Sequence, residues 1–90
     1  MTRRLIRLLV VDDDAFVQRT IAEFVAAAGD MDCVGACSNG AEAVQFVADN
    51  AVDVVLMDVK MPIMDGVEAA RRILEAHEGI RVLMWTSFDD

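Results

Sequence analysis

The chain has 90 residues, a formal net charge of −8 and 56% hydrophobic residues, which describes one small soluble domain, or a piece of one, with a modest core. That acidity argues against direct nucleic-acid contact by this segment, which would need clustered Lys and Arg to neutralise phosphates; Arg3, Arg4 and Arg7 read as a solvated tail. The apolar stretch that follows is interrupted by Arg7 and closed by Asp12-Asp13-Asp14, too short for a signal peptide, and no run reaches membrane-spanning length, so a cytoplasmic protein is expected.

In chain order, residues 5–11 are an apolar run ending in carboxylates and read as a strand. Residues 15–28 carry Val17, Ile21, Phe24, Val25 and Ala28 at helical spacing as a buried stripe, with Gly29 as the stop. Residues 31–37 form a weaker strand, expected at a sheet edge. Asn39 and Glu42 have the spacing of a capping box, and the helix they open continues to about residue 49 on Ala43, Val44, Phe46 and Val47.

Residues 53–58 are short, β-branched and free of period-2 alternation, as suits a strand buried on both faces of a parallel sheet. Met61-Pro62 stops it, because Pro lacks a donor and restrains its predecessor. Asp65, with Glu68 as capping-box partner, opens a helix over 65–77. Val67, Ala70, Ile73 and Leu74 are expected inward, Arg71, Arg72, Glu75 and Glu78 outward, and Gly79 ends the helix. Residues 80–86 are a fourth strand, in which Trp85 reads as core or edge filler. The β-α-β-α-β-α-β order with short connections predicts an α/β fold around a doubly wound parallel sheet.

Cys33 and Cys37 fall in one strand, where four extended residues separate their Cα atoms by roughly 13 Å, too far for a disulfide. No His lies near them to suggest zinc. His77 suits the carboxyl end of its helix, and packing accounts for Met57, Met61, Met64 and Met84.

Polar groups stand at three strand ends: Asp12-Asp13, Asp58, and Thr86-Ser87. In a parallel sheet these ends share one rim, the place where open α/β sheets bind ligands. Taken singly, Asp58 could merely terminate a strand, Asp12-Asp13 could cap a helix as Asp14 could by itself, and Thr86 could bond to backbone. Together, several carboxylates repel unless a cation lies between them. Mg²⁺ is the simple solution, with open positions for water and phosphate oxygens. A carboxylate beside it can act as nucleophile on a phosphoryl group, with the Thr86 hydroxyl placed to register the arrival.

Val10-Val11-Asp12-Asp13, Asp58-Val59-Lys60-Met61-Pro62-Ile63-Met64-Asp65-Gly66 and Val82-Leu83-Met84-Trp85-Thr86-Ser87, in this order and spacing, resemble the receiver domain of bacterial two-component response regulators, the CheY-like family. Ser38-Asn39-Gly40-Ala41-Glu42-Ala43 and Thr86-Ser87-Phe88-Asp89-Asp90 resemble its subgroup with LuxR-type DNA-binding output domains. The resemblance implies a flavodoxin-like sheet of order 2-1-3-4. It makes Asp58 the phosphoacceptor, charged by a sensor histidine kinase. Mg²⁺ would be held by Asp12, Asp13, Asp58 and the backbone carbonyl of Lys60, with Asp13 the better direct ligand than Asp12. Thr86 would be the switch hydroxyl, and Ser87 would flank the phosphoryl site.

A receiver has five strands and five helices, so the resemblance implies that residues 1–90 are such a domain without its last helix-strand-helix and without an output domain. It also asks for a Lys after the fifth strand, a role that Lys60, the only lysine, cannot take. Weak phosphorylation is then expected. So is an exposed apolar edge on the fourth strand that invites a dimer through that side, unless the chain is a piece of a longer protein. Two other functions compete: a phosphate-independent pseudo-receiver acting as a dimerisation module, and an aspartyl-phosphate phosphatase. Such phosphatases usually carry a second acid two residues after the nucleophile, where this chain has Lys60.

Overall fold

The computed structural model describes residues 4–86. The elements run β1 (Ile6–Val11), α1 (Ala15–Ala28), β2 (Met31–Cys37), α2 (Gly40–Asp49), β3 (Val54–Asp58), α3 (Gly66–Ala76) and β4 (Arg81–Trp85). Every strand pairing is parallel, in the order β2-β1-β3-β4, which is the expected doubly wound topology. Ser87, expected at the phosphoryl site, lies outside the described residues.

Strand alternation divides the core between two faces. Leu9, Val11, Val55 and Met57 point to the side covered by α2 and α3, where they pack with Ala43, Val47, Ala69, Ala70 and Ile73. Leu8 and Val10 point to the other side and meet Val25 and Ile21 of α1. A register shift between Leu8 and Leu9 inserts an extra residue into β2, so that Leu8 pairs with Cys33 but Leu9 with Gly35. The bulge sends Cys33 to the α1 side and Cys37 to the α2 side. Both thiols are free, and strand geometry on opposite faces keeps them so. Burial, with a small push from Glu42, raises the Cys37 thiol to about 11.

The caps follow local chemistry. Asp14, Asn39 and Asp65 open the three helices, accepting from the N–H groups of Phe16, Glu42 and Glu68. Gly29 closes α1 in the left-handed conformation at φ 83°, where a side chain would be strained. The capping boxes depart from expectation. Glu42 reaches past Asn39 to the Ser38 N–H at 2.8 Å, and Glu68 turns outward to Arg71 and Arg72. Gly79 does not end α3; the helix closes at His77, whose N–H still donates to Ile73 at 2.9 Å.

Two helix faces also need correction. On α3 the inward stripe is Gly66, Ala69, Ala70 and Ile73, while Val67 and Leu74 are exposed. Gly66 and Ala69 are small because the first turn of α3 lies close against the β3 backbone and α2, while Ile73, a turn further on, fills the core. On α1 only Val25 is fully buried, and Phe24 is 79% exposed. It borders an open apolar groove of about 520 Å³ between α1 and the sheet, lined among others by Leu8, Ile21, Leu56 and Leu83.

Candidate functional site

The candidate site forms where the two central strands end. Val11 and Met57 are paired across β1 and β3, so the next residues, Asp12 and Asp58, leave the sheet side by side. Each is 2% exposed. Asp12 stays in line because its N–H donates to the Cys37 carbonyl at 3.0 Å, and Asp58 because the following Val59 N–H donates to Trp85 at 2.9 Å.

Each buried carboxylate spends one oxygen on its own loop. Asp12 Oδ1 accepts from the Asp14 N–H at 2.8 Å, and Asp58 Oδ1 from the Lys60 N–H at 3.3 Å. Asp12 Oδ2 is buried with no hydrogen-bond partner among the described residues. Asp13 is exposed, yet one oxygen from each of Asp12, Asp13 and Asp58 lies within 4.8 Å of the others. Burial pushes the Asp12 carboxyl above its ordinary value; the Asp14 N–H works against this, and the charges of Asp58, Asp13 and Asp14 add to it. An orphaned buried oxygen within a close all-oxygen donor set suits a hard divalent cation, which removes both the repulsion and the unmet hydrogen-bonding demand.

The loop after β3 is set by close packing. The Gly66 N–H donates to the Val59 carbonyl at 2.8 Å, and a Cβ at Gly66 would overlap the Asp58 carbonyl oxygen. The Gly40 N–H donates to the Met64 carbonyl at 2.9 Å, and a Cβ there would come within 2.6 Å of that oxygen and 2.8 Å of Ala69 Cβ. Between them Ile63 adopts φ 71°, at the centre of a tight turn in which the Met64 N–H meets the Pro62 carbonyl at 2.7 Å. Neither glycine stands out from sequence as a site residue. Each looks like an ordinary turn or cap glycine, and only the tertiary approach gives it a further role.

Thr86 follows Trp85, whose Cα is paired with Asp58 across β3 and β4, and Thr86 is exposed. Lys60 contributes its N–H to Asp58 while its side chain is exposed. Trp85 is half-buried, and its indole N–H is enclosed without a partner among the described residues.

The family model described as "Response regulator receiver domain" matches residues 8–90. A protein-glutamate methylesterase/protein-glutamine glutaminase of Shewanella denitrificans is 40% identical over 82 residues, covering 91% of this chain and 21% of the relative. The transcriptional regulatory protein LiaR of Bacillus subtilis is 36% identical over 86 residues, covering 96% of this chain and 41% of the relative. Among solved structures, the response regulator domain of Thermotoga maritima CheB superposes with TM-score 0.88 at 37% identity, covering 97% of this chain and 64% of that one. The chain spans about a fifth of the length of the methylesterase relatives it matches.

Proposed function

Because this chain belongs to the response regulator receiver domain family, a family of signalling domains, we propose that it is a phosphoacceptor switch. Asp58 takes a phosphoryl group from a phosphohistidine on a sensor histidine kinase. The observation that carries this reading is the convergence of the Asp12, Asp13 and Asp58 oxygens within 4.8 Å at the strand tips. Receiver domains bind Mg²⁺ at an acidic site. Here Asp12, Asp13 and Asp58 would hold it, with the Lys60 carbonyl as a further ligand. When bound, it supplies positive charge against the phosphoryl oxygens.

The reaction is a displacement at phosphorus. An Asp58 oxygen bonds to phosphorus as the phosphorus–nitrogen bond to the donor imidazole breaks, and the leaving nitrogen takes a proton. The Lys60 N–H holds Asp58 Oδ1 and so orients the carboxylate. Gly66, packed on the Asp58 carbonyl, fixes the backbone behind it. Thr86 would hydrogen-bond the new phosphoryl group and carry the switch, with Ser87 beside it.

We place the protein in the cytoplasm and, in its full length, ahead of an output domain, a DNA-binding one on the LuxR-type resemblance. No described helix is long and apolar enough to cross a membrane.

The test is incubation with acetyl phosphate, or with beryllofluoride, and Mg²⁺, read by intact mass and ¹⁹F NMR. A low-yield adduct that disappears in Asp58→Asn and on chelation of Mg²⁺ is the expected result. Turnover of a phosphate ester would favour the phosphatase reading. No adduct under any condition would leave the dimerisation module.

A further inference from the structure

We infer that Gln18, on the first turns of α1, is a positioning residue for the cation site. The inference rests on the Mg²⁺ reading above. The Gln18 side-chain Nε2 donates to the Asp12 carbonyl at 2.7 Å and to the Cys37 carbonyl at 3.0 Å, with the Ser38 hydroxyl oxygen at 3.4 Å. Both short contacts are to carbonyls, so the amide nitrogen, with its two N–H groups, must face them. One amide therefore bridges the carboxyl ends of β1 and β2 from a helix that packs on β2 and β1.

The bridge acts on the acid through its backbone. Asp12 is held at its N–H by the Cys37 carbonyl at 3.0 Å and at its carbonyl by Gln18. Its side-chain Oδ1 is held by the Asp14 N–H at 2.8 Å. With those three points fixed, Oδ2 has one direction left, and it is the buried oxygen without a partner among the described residues. Gln18 does this with a neutral donor, so it braces the acid without supplying a positive charge that would compete for the cation. Its place in the fold is that of an outer-shell partner that orients a metal ligand.

The test compares wild type with Gln18→Met, which keeps length and removes both donors, and with Gln18→Asn, which keeps the amide one methylene short of the bridge. Mg²⁺ affinity is measured by calorimetry at a temperature where each protein is fully folded. Amide hydrogen exchange is followed at Asp14, whose N–H reports on Asp12 Oδ1. Removing an outer-shell partner is expected to weaken Mg²⁺ binding about tenfold, with faster exchange at Asp14 and unchanged protection at Val55 and Met57. The same loss in Gln18→Asn supports the bridge should Gln18→Met fail to fold. Affinity within a factor of about two of wild type, with only the melting temperature lowered, would overturn the positioning role. Wild type that binds no Mg²⁺ would instead sink the cation reading, and this inference with it.

Discussion

The fold disfavours a charge on Asp12: the carboxyl is buried, beside Asp58 and Asp13, and one of its oxygens has no partner among the described residues. A carboxyl whose pKa is raised by the fold favours folding in its protonated form, and that contribution fades as pH rises through its native range. Asp12→Asn keeps an oxygen that can accept from Asp14 and removes the charge. At neutral pH in chelator, its melting temperature is expected to exceed that of wild type. Millimolar Mg²⁺ should raise the wild-type melting temperature and leave the variant unmoved, which scanning calorimetry would check. Gly66 gives a second prediction at this scale. Gly66→Ala drives a methyl group into the Asp58 carbonyl, an overpacking that costs about 1–3 kcal/mol. A urea midpoint equal to wild type would show that the contact is not as tight as described.

Among elements, the opposite ends of the same strands are tied by an ion pair. Asp53, just before β3, takes the Arg7 backbone N–H at 2.8 Å and its Nε at 3.0 Å on one oxygen, and a guanidinium nitrogen at 3.0 Å on the other. The Arg7 side-chain bonds, then its backbone bond, lower the Asp53 carboxyl from 3.8 to about 2. A depressed carboxyl stabilises the fold above its ordinary pKa and loses that contribution as pH falls toward the native value. Asp53→Asn should therefore be less stable than wild type at neutral pH. The gap should close between about pH 4 and pH 2. Both groups are about a third exposed, so salt will narrow it. Denaturant melts at several pH values would show a constant gap if the pair contributes nothing. On α3, Glu68 pairs with Arg71 and Arg72 instead of reaching back to Asp65, and those guanidinium groups, Arg71 first, lower its carboxyl to about 2.

Across the described residues, the salient feature is an apolar surface exposed on the α1 side and along β4. Leu83 is 59% exposed, and Met84 is exposed on the other face of the same strand. The groove between α1 and the sheet adds Phe24, Leu56 and Ile21. We propose that the 90-residue chain by itself associates through this side. Apparent mass by light scattering should rise with concentration, and Leu83→Lys, placing a charge in the groove and on the strand, should return it toward that of a 9.9 kDa monomer. A wild-type chain that stays monomeric across the concentration range would set the idea aside.

The strands, helices and their order were legible in the sequence, because they rest on short-range physics. Apolar runs without alternation require a sheet covered on both faces, and Asp14, Asn39 and Asp65 cap helices through bonds to residues a few positions away. That Asp12 and Asp58 belong to one rim follows as soon as the strands are parallel. Tertiary structure decided what depends on how closely elements approach. It set the small-residue face of α3, where periodicity alone favoured Val67 and Leu74. It set the bulge that divides Cys33 from Cys37, and the requirement for no side chain at Gly40 and Gly66. It left Phe24 open on α1 and gave Gln18 its bridge between two strand ends. Periodicity states which way a side chain points relative to its own backbone; only packing states what stands opposite, at what distance, and whether there is room.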